Sequence, residues 1–381
     1  MPEEPDSNRR DFFKGTPAIR KFREAVGKAQ DTLSQGLENR SPEPASNSGS
    51  QPDPISSTRK SAYLETYTAN AMACQFELLF NLHQYTRSGT AAMLAIELLE
   101  ELEDRMSIYR EHSEFSRANL EAFSASYLME PGVYEMLKMA KELFYQTKGA
   151  FDISSGPLSA LWGFDHRQGQ LPETSEIEKA MMNVGSELFE LNDEKCSIRF
   201  SVPGIRLNPG GIGKGFALDK MVDQIRAKDI NDFVIHGGQS SVIAAGSSDP
   251  DDASAGWTIG LTHPTIPGVR LGEFVLRNKA LGTSGTARQA FFHQGRRYGH
   301  VIDPRTGWPT DHTLSSTVVT DSAAVSDALA TAFFVMTHEE VSEFCNANPD
   351  VTAILVVPQS DSGQVLLQKF NVDENDWKPA Q

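Results

Sequence analysis

Asp327 sits at the centre of SAAVSDALATAFFVM, residues 322–336, a stretch built almost entirely of Ala, Val, Leu, Phe and Met. A helix this apolar must be buried on most sides, so the carboxylate it carries must be paired, protonated or bound to a metal. Thr331 lies four residues on and shares its helical face, which points a carboxylate and a hydroxyl at one spot. Oxygen donors of this kind suit a hard cation such as Mg2+, completed by phosphate and water. Pairing of Asp327 with a buried arginine or with backbone N–H groups would meet the same need.

LNPGGIGKGFALDK, residues 207–220, is the densest glycine cluster and opens a helix. Glycines there let backbone N–H groups approach a phosphate, and the start of a helix adds a favourable partial charge. A Walker loop is excluded, because Asn208 stands where its first Gly would be and Gly215 follows Lys214 in place of Ser or Thr. A dinucleotide fingerprint is excluded too, since Phe216 occupies the third glycine place after Gly211 and Gly213. An anion cradle and a tight turn with no ligand both remain open. GHVIDPRTGWPT, residues 299–310, places His300 at the end of a strand and follows it with a turn in which Asp303, Pro304 and Gly307 have standard roles. Beside a metal and a phosphate, such a histidine is fit to take a proton from a hydroxyl nucleophile. Elsewhere it is a structural residue. Tyr109, and Phe151 with Trp162, are aromatic candidates to hold a planar ring or ordinary core.

The elements that must position these groups are visible as periodicity. Strands are expected at 74–82, 197–202, 258–261, 273–276, 315–319, 351–357 and 364–370, and as a pair across 233–245 around HisGlyGlyGln. Helices are expected at 88–105, 131–149, 214–226, 322–336 and 338–346, the second from Pro131 to a capping Gly149. Mixed alternation of this kind predicts an α+β body with mixed or antiparallel sheets and packed helices, not a doubly wound parallel sheet. No internal repeat is visible.

The 381 residues carry 35 Lys and Arg against 51 Asp and Glu, a formal charge of −16, which argues against nucleic acid or anionic lipid as a bulk partner. Hydrophobic residues make up 39%, enough for a core, yet no apolar run reaches the roughly 20 residues of a membrane helix. Cys74, Cys196 and Cys345 are far apart and odd in number, which excludes a disulfide framework and gives no zinc spacing. Residues 1–61 are expected to form a charged, disordered arm, with a short helix over 11–39 and a Ser/Pro-rich linker over 40–60. A folded domain should occupy 62–376, with 377–381 as a tail. SNRRDFFKG at 7–15 resembles a twin-arginine export start around Arg9 and Arg10. Arg20, Lys21, Arg23 and Glu24 then interrupt the apolar stretch such a signal needs, so a cytoplasmic location is expected over export.

Taken in order, MACQF from Met72, MSIYREHSEFSRAN, GAFDISSGPLSALWGF, GGIGKGFALDK, FVIHGGQSSVIAAG, GTSG at 282–285, GHVIDPRTGWP and SDALATAFFV resemble the ApbE family, the FAD:protein FMN transferases, over residues 66–336. The resemblance implies a T-fold-like catalytic domain that cleaves FAD, releases AMP and links FMN through a phosphoester to a Thr or Ser of a target protein. It implies Mg2+ held by the Gly211 carbonyl, Asp327 and Thr331. It implies FAD contacts at Met72, Tyr109, Ala150, Phe151, Asp152, Asn208, Lys214 and Ile302, with His300 as general base and Thr283 and Ser284 bordering the pocket. The acceptor it implies is a subunit of a membrane redox complex or another flavin-carrying electron-transfer domain. The chain departs from the family pattern at Asn208, where Asp is usual, at Thr286 and Ala287 after the TSG motif, and at HisGlyGlyGln, residues 236–239. None of these removes an implied magnesium ligand or His300. An FAD pyrophosphatase that passes FMN to water, and an inactive FAD-binding module, are the rival expectations.

Overall fold

Residues 64–166, 168–285, 290–359 and 364–380 are described by a computed structural model and belong to one compact unit, Ser61–Gln381. The expected arm over 1–61, including the paired arginines, lies outside the described residues, as do Thr286 and Ala287.

The first half of the unit comprises β1 (Leu64–Ala71), β2 (Cys74–Asn81), α1 (Ser88–Met106), α2 (Glu114–Glu121), β3 (Tyr127–Leu128), α3 (Pro131–Gln146), α4 (Gly156–Leu161), α5 (Thr174–Met181), β4 (Phe189–Asn192), β5 (Ser197–Phe200) and α6 (Gly213–Arg226). The second comprises β6 (Phe233–Gly237), β7 (Ser241–Ala245), β8 (Trp257–Thr262), β9 (Arg270–Leu276), β10 (Lys279–Gly285), β11 (Ala290–His293), β12 (Arg296–Gly299) and β13 (Ser315–Thr320). It closes with α7 (Ala323–Val335), α8 (His338–Ala347), β14 (Thr352–Pro358), β15 (Val365–Phe370) and β16 (Trp377–Pro379). Within the described residues the expected helices and strands are present, with ends displaced by a few residues; the helix expected over 11–39 lies outside them. The helix expected to reach Gly149 ends at Gln146, because Lys148 and Gly149 both turn left-handed (φ 52° and 82°) and the Gly149 N–H bonds back to the Phe144 carbonyl at 2.9 Å.

Eight strands form one antiparallel sheet in the order β1-β2-β6-β7-β10-β13-β14-β15. Helices cover one face, burying Phe76, Leu78 and Phe80 of β2 with Leu99 of α1 and Phe216 of α6. The small sheet β16-β9-β8 covers the other, placing Trp257, Phe274 and Trp377 against Val234, Val242 and Leu281. Coverage on both sides explains why β7 and β13 are buried along their whole length instead of alternating. Residues 377–379, expected as a tail, are this sheet's third strand, with Trp377 buried against Phe274.

Two helices carry the glycine turn and Asp327. The turn Pro209–Gly211 leads into α6, and α7 lies against both α6 and β10. The fit is possible only without side chains. A Cβ on Gly215 would stand 2.0 Å from the Ala323 carbonyl oxygen, and one on Gly282 would stand 2.5 Å from that of Ser326. Arg305, in the turn after β12, ties that turn to the other end of α7. Its guanidinium contacts Asp303 at 2.9 Å and Glu340 of α8 at 2.7 Å, and it donates to the Val335 carbonyl at 3.4 Å.

Gly215→Ala and Gly282→Ala should each destabilise the protein by about 1–3 kcal/mol through overpacking, read as a lower urea midpoint. An unchanged midpoint would show that α7 can move away freely. Arg305→Ala strands the buried Asp303 carboxylate and should cost about 3–5 kcal/mol. Arg305→Lys, which lacks the planar fork, should recover only part of that loss in the same titration.

Candidate active site

The apolar helix α7 buries Asp327 completely enough that its surroundings must supply partners. They do so at a single oxygen. Oδ2 accepts from the Gly215 N–H at 2.8 Å and the Ser241 hydroxyl at 2.8 Å, and the Lys214 ammonium stands 3.6 Å away. Burial pushes the carboxyl pKa above its usual range, while Lys214, Ser241 and the Gly215 N–H oppose that shift. The pairing is therefore with a lysine, a hydroxyl and a helix N-terminus, in place of the arginine considered from sequence.

Thr331 occupies the expected face one turn on. Its hydroxyl bonds the Asp327 carbonyl at 3.2 Å and lies 3.0 Å from the Ser284 hydroxyl. Gly211 adjoins it closely, since a Cβ there would stand 3.4 Å from Thr331 Oγ1. Gly211 and Thr331 thus adjoin, and Asp327 lies one helical turn before Thr331, its Oδ1 taking no hydrogen bond from the described residues. This all-oxygen set fits a hard divalent cation that completes its shell with water and phosphate.

Two cavities meet beside the glycine turn. One, of about 550 Å³, is lined by Ala150, Phe151, Asp152, Gly211, Thr283, Ser284, Ile302 and Thr331 among others. The second, of about 720 Å³, is lined by Met72 and Tyr109. Asn208, Gly210, Lys214 and His300 border both. Every residue singled out from sequence for FAD, and His300, therefore lines one or both cavities, with Asp327 buried behind the lysine. Trp162 does not. It is fully buried and its indole N–H donates to the Gly307 carbonyl at 3.0 Å, so it is core.

Local structure fixes each wall. Met72 and Ala73 form the turn between β1 and β2 in left-handed conformations (φ 49° and 57°), so Met72 belongs to a hairpin tip and not to the strand after it. Glu103 holds that tip through the Met72 N–H at 2.7 Å and pairs with Arg110 at 3.2 Å, next to the exposed Tyr109. Asp152 accepts from the Ser154 N–H and hydroxyl, both at 2.8 Å, and from the Ser186 hydroxyl at 2.7 Å. Burial raises its pKa and those bonds counter the rise. Asn208 accepts from the Gly210 N–H at 2.9 Å, capping the turn as an aspartate would, without the charge. In the HisGlyGlyGln departure, His236 Nε2 stands 3.2 Å from Glu77 on the neighbouring strand, and Gln239, left-handed at φ 62°, lines the first cavity.

Sequence reasoning missed Ser241, Glu103 and Asp219. Asp219 of α6 accepts from the Ala323 and Ala324 N–H groups at 2.8 and 3.0 Å and from the Ser322 hydroxyl at 2.7 Å, capping α7. Its position one turn after the glycine cluster was the available hint, but its partners lie on a distant helix. Among the described residues no group of three or more His, Cys, Asp or Glu gathers as a metal site.

The model of the ApbE family matches residues 72–355. An FAD:protein FMN transferase of Vibrio cholerae is 30% identical over 270 residues, covering 70% of this chain and 78% of that one. One from Klebsiella pneumoniae is 26% identical over 297 residues, covering 77% and 90%. Among solved structures, the flavin transferase ApbE of Vibrio cholerae superposes with a TM-score of 0.70 at 26% identity, covering 81% of this chain and 97% of that one. The ApbE protein of Thermotoga maritima gives 0.72 at 24% identity over the same shares, a likeness of fold. With a family model spanning most of its folded length and an antiparallel α+β architecture shared with solved relatives, this chain belongs to the ApbE family.

Proposed function

We propose that this chain is a Mg2+-dependent FAD:protein FMN transferase that splits FAD, releases AMP and joins FMN to a Thr or Ser hydroxyl of a flavoprotein acceptor. The observation that carries this reading is the meeting of two cavities at Asn208, Gly210, Lys214 and His300. That shape suits a ligand with two bulky ends joined by a pyrophosphate, and curated relatives with this name support the choice of FAD.

Magnesium held by the Gly211 carbonyl, Asp327 and Thr331 would supply neutralisation of the pyrophosphate charge. The chain itself does the rest. N–H groups of the glycine turn and of the start of α6 orient the phosphate oxygens, and the Lys214 ammonium adds a fixed positive charge beside them. His300 accepts the proton of the incoming hydroxyl. The hydroxyl oxygen then bonds the phosphorus of the FMN half as the bridging P–O bond to AMP breaks, and the bonding pair leaves with AMP. The acceptor we propose is a subunit of a redox complex or a flavin-carrying electron-transfer domain.

Incubation with FAD, Mg2+ and a threonine-containing acceptor should give an acceptor heavier by FMN, together with AMP. FMN released free would make the protein a hydrolase, and intact FAD a binding module. Asp327→Ala should abolish magnesium-dependent AMP release, and undiminished release would remove Asp327 from the metal site. His300→Ala should slow transfer by about 10²–10⁴-fold with FAD affinity nearly unchanged. A large loss of affinity would assign His300 to binding instead.

A further inference from the structure

One long wall of the first cavity is not accounted for by the residues above. It is β8, the outer strand of the sheet β16-β9-β8. The direction of its backbone groups follows from the strand beside it. Val275 of β9 donates its N–H to the Asp376 carbonyl at 2.8 Å, away from β8 and on the side where β16 pairs. Its cross-strand partner Thr258 therefore belongs to a pair without mutual hydrogen bonds, so its own N–H and C=O point away from β9. The two-residue period turns Gly260 the same way. At the far end, beyond the irregularity at Leu261 and Thr262, His263 donates to the Val269 carbonyl at 2.8 Å, which turns Thr262 outward as well. Thr258, Gly260 and Thr262 thus offer a row of backbone donors and acceptors that no described residue engages.

Such an edge invites another strand, and proteins ordinarily protect it with charge, proline or a cover. Here the strand reads Trp-Thr-Ile-Gly-Leu-Thr, with no charge and no proline of its own, and only the Arg270 side chain of β9 lies over Gly260 among the described residues. The edge opens into the cavity that Lys214 and His300 line. Continuity with that cavity identifies the occupant, because a transferase must admit a segment of its protein substrate there.

We propose that the acceptor docks by strand addition. An extended segment of the flavoprotein pairs with Thr258, Gly260 and Thr262 of β8 and delivers its Thr or Ser hydroxyl to His300. The proposal rests on the transferase reading above. Main-chain pairing supplies affinity that depends little on acceptor sequence.

The probe is obtained by incubating the full chain, FAD and Mg2+ with a pool of peptides of about twelve residues, long enough for a docked strand, each with one fixed central threonine. Peptides that gain the mass of FMN are resynthesised. Gly260→Pro removes a donor that the β8–β9 ladder does not use and should raise KM for such a peptide about tenfold. An unchanged KM in the proline variant overturns the proposal. Hydrogen exchange on the parent, loaded with FAD and with a threonine-to-valine version of the peptide, should slow at the Gly260 amide. Lack of slowing with peptide bound, or protection before peptide is added, also overturns it. FAD split to FMN and AMP with no peptide labelled would instead fail the transferase reading, and strand docking with it.

Discussion

A reciprocal exchange of carboxylates between α6 and α7 is the constraint on which the rest of the site depends. Asp219 of α6 caps the start of α7, and Asp327 of α7 accepts an N–H at the start of α6. Asp327 is buried and Asp219 half-buried, each has its pKa raised by desolvation, and each is compensated by backbone N–H donors of the other helix. Neither helix end is satisfied without its neighbour. The glycine turn and Asp327 are therefore held in one geometry by the same bonds that hold the helices together. Close packing tightens this further, since Gly215 and Gly282 let α7 approach both α6 and β10 to backbone contact.

Coupling of this sort explains which features were legible in the sequence. The helix at 322–336 was visible from its own composition, and the lone Asp in it announced that something unusual must face it. The identity of its partners was not visible. Ser241 is 86 residues from Asp327, Ser322 is 103 from Asp219, and Glu103 is 31 from the Met72 N–H it holds. No periodicity links positions that only the folded chain brings together. β10 was missed for a related reason. Lys-Ala-Leu-Gly-Thr-Ser-Gly has few residues that favour strands, and it is one because β7 and β13 pair with it and because α7 needs Gly282 bare. The GTSG segment was recognised as a motif before it was recognisable as an element. Trp162 shows the opposite case. An aromatic beside a recognised motif suggested a ring-binding role, yet an indole N–H satisfied by the Gly307 carbonyl belongs to the core.

A formal charge of −16 and a site for a pyrophosphate ligand are compatible because the carboxylates near the cavities are engaged internally. Asp152 is bonded to Ser154 and Ser186, Asp219 to the start of α7, Asp303 to Arg305, and Asp327 to Lys214 and α6. What lines the junction of the two cavities is the Lys214 ammonium, the glycine turn and His300. Asn208 is consistent with that division. Its amide oxygen makes the bond to Gly210 that shapes the turn, as a carboxylate oxygen would, while adding no negative charge where both cavities meet. Shape at this position depends on an acceptor atom and electrostatics on the charge behind it. The amide separates the two, so Asn208 holds the turn in place without a carboxylate charge where both cavities meet.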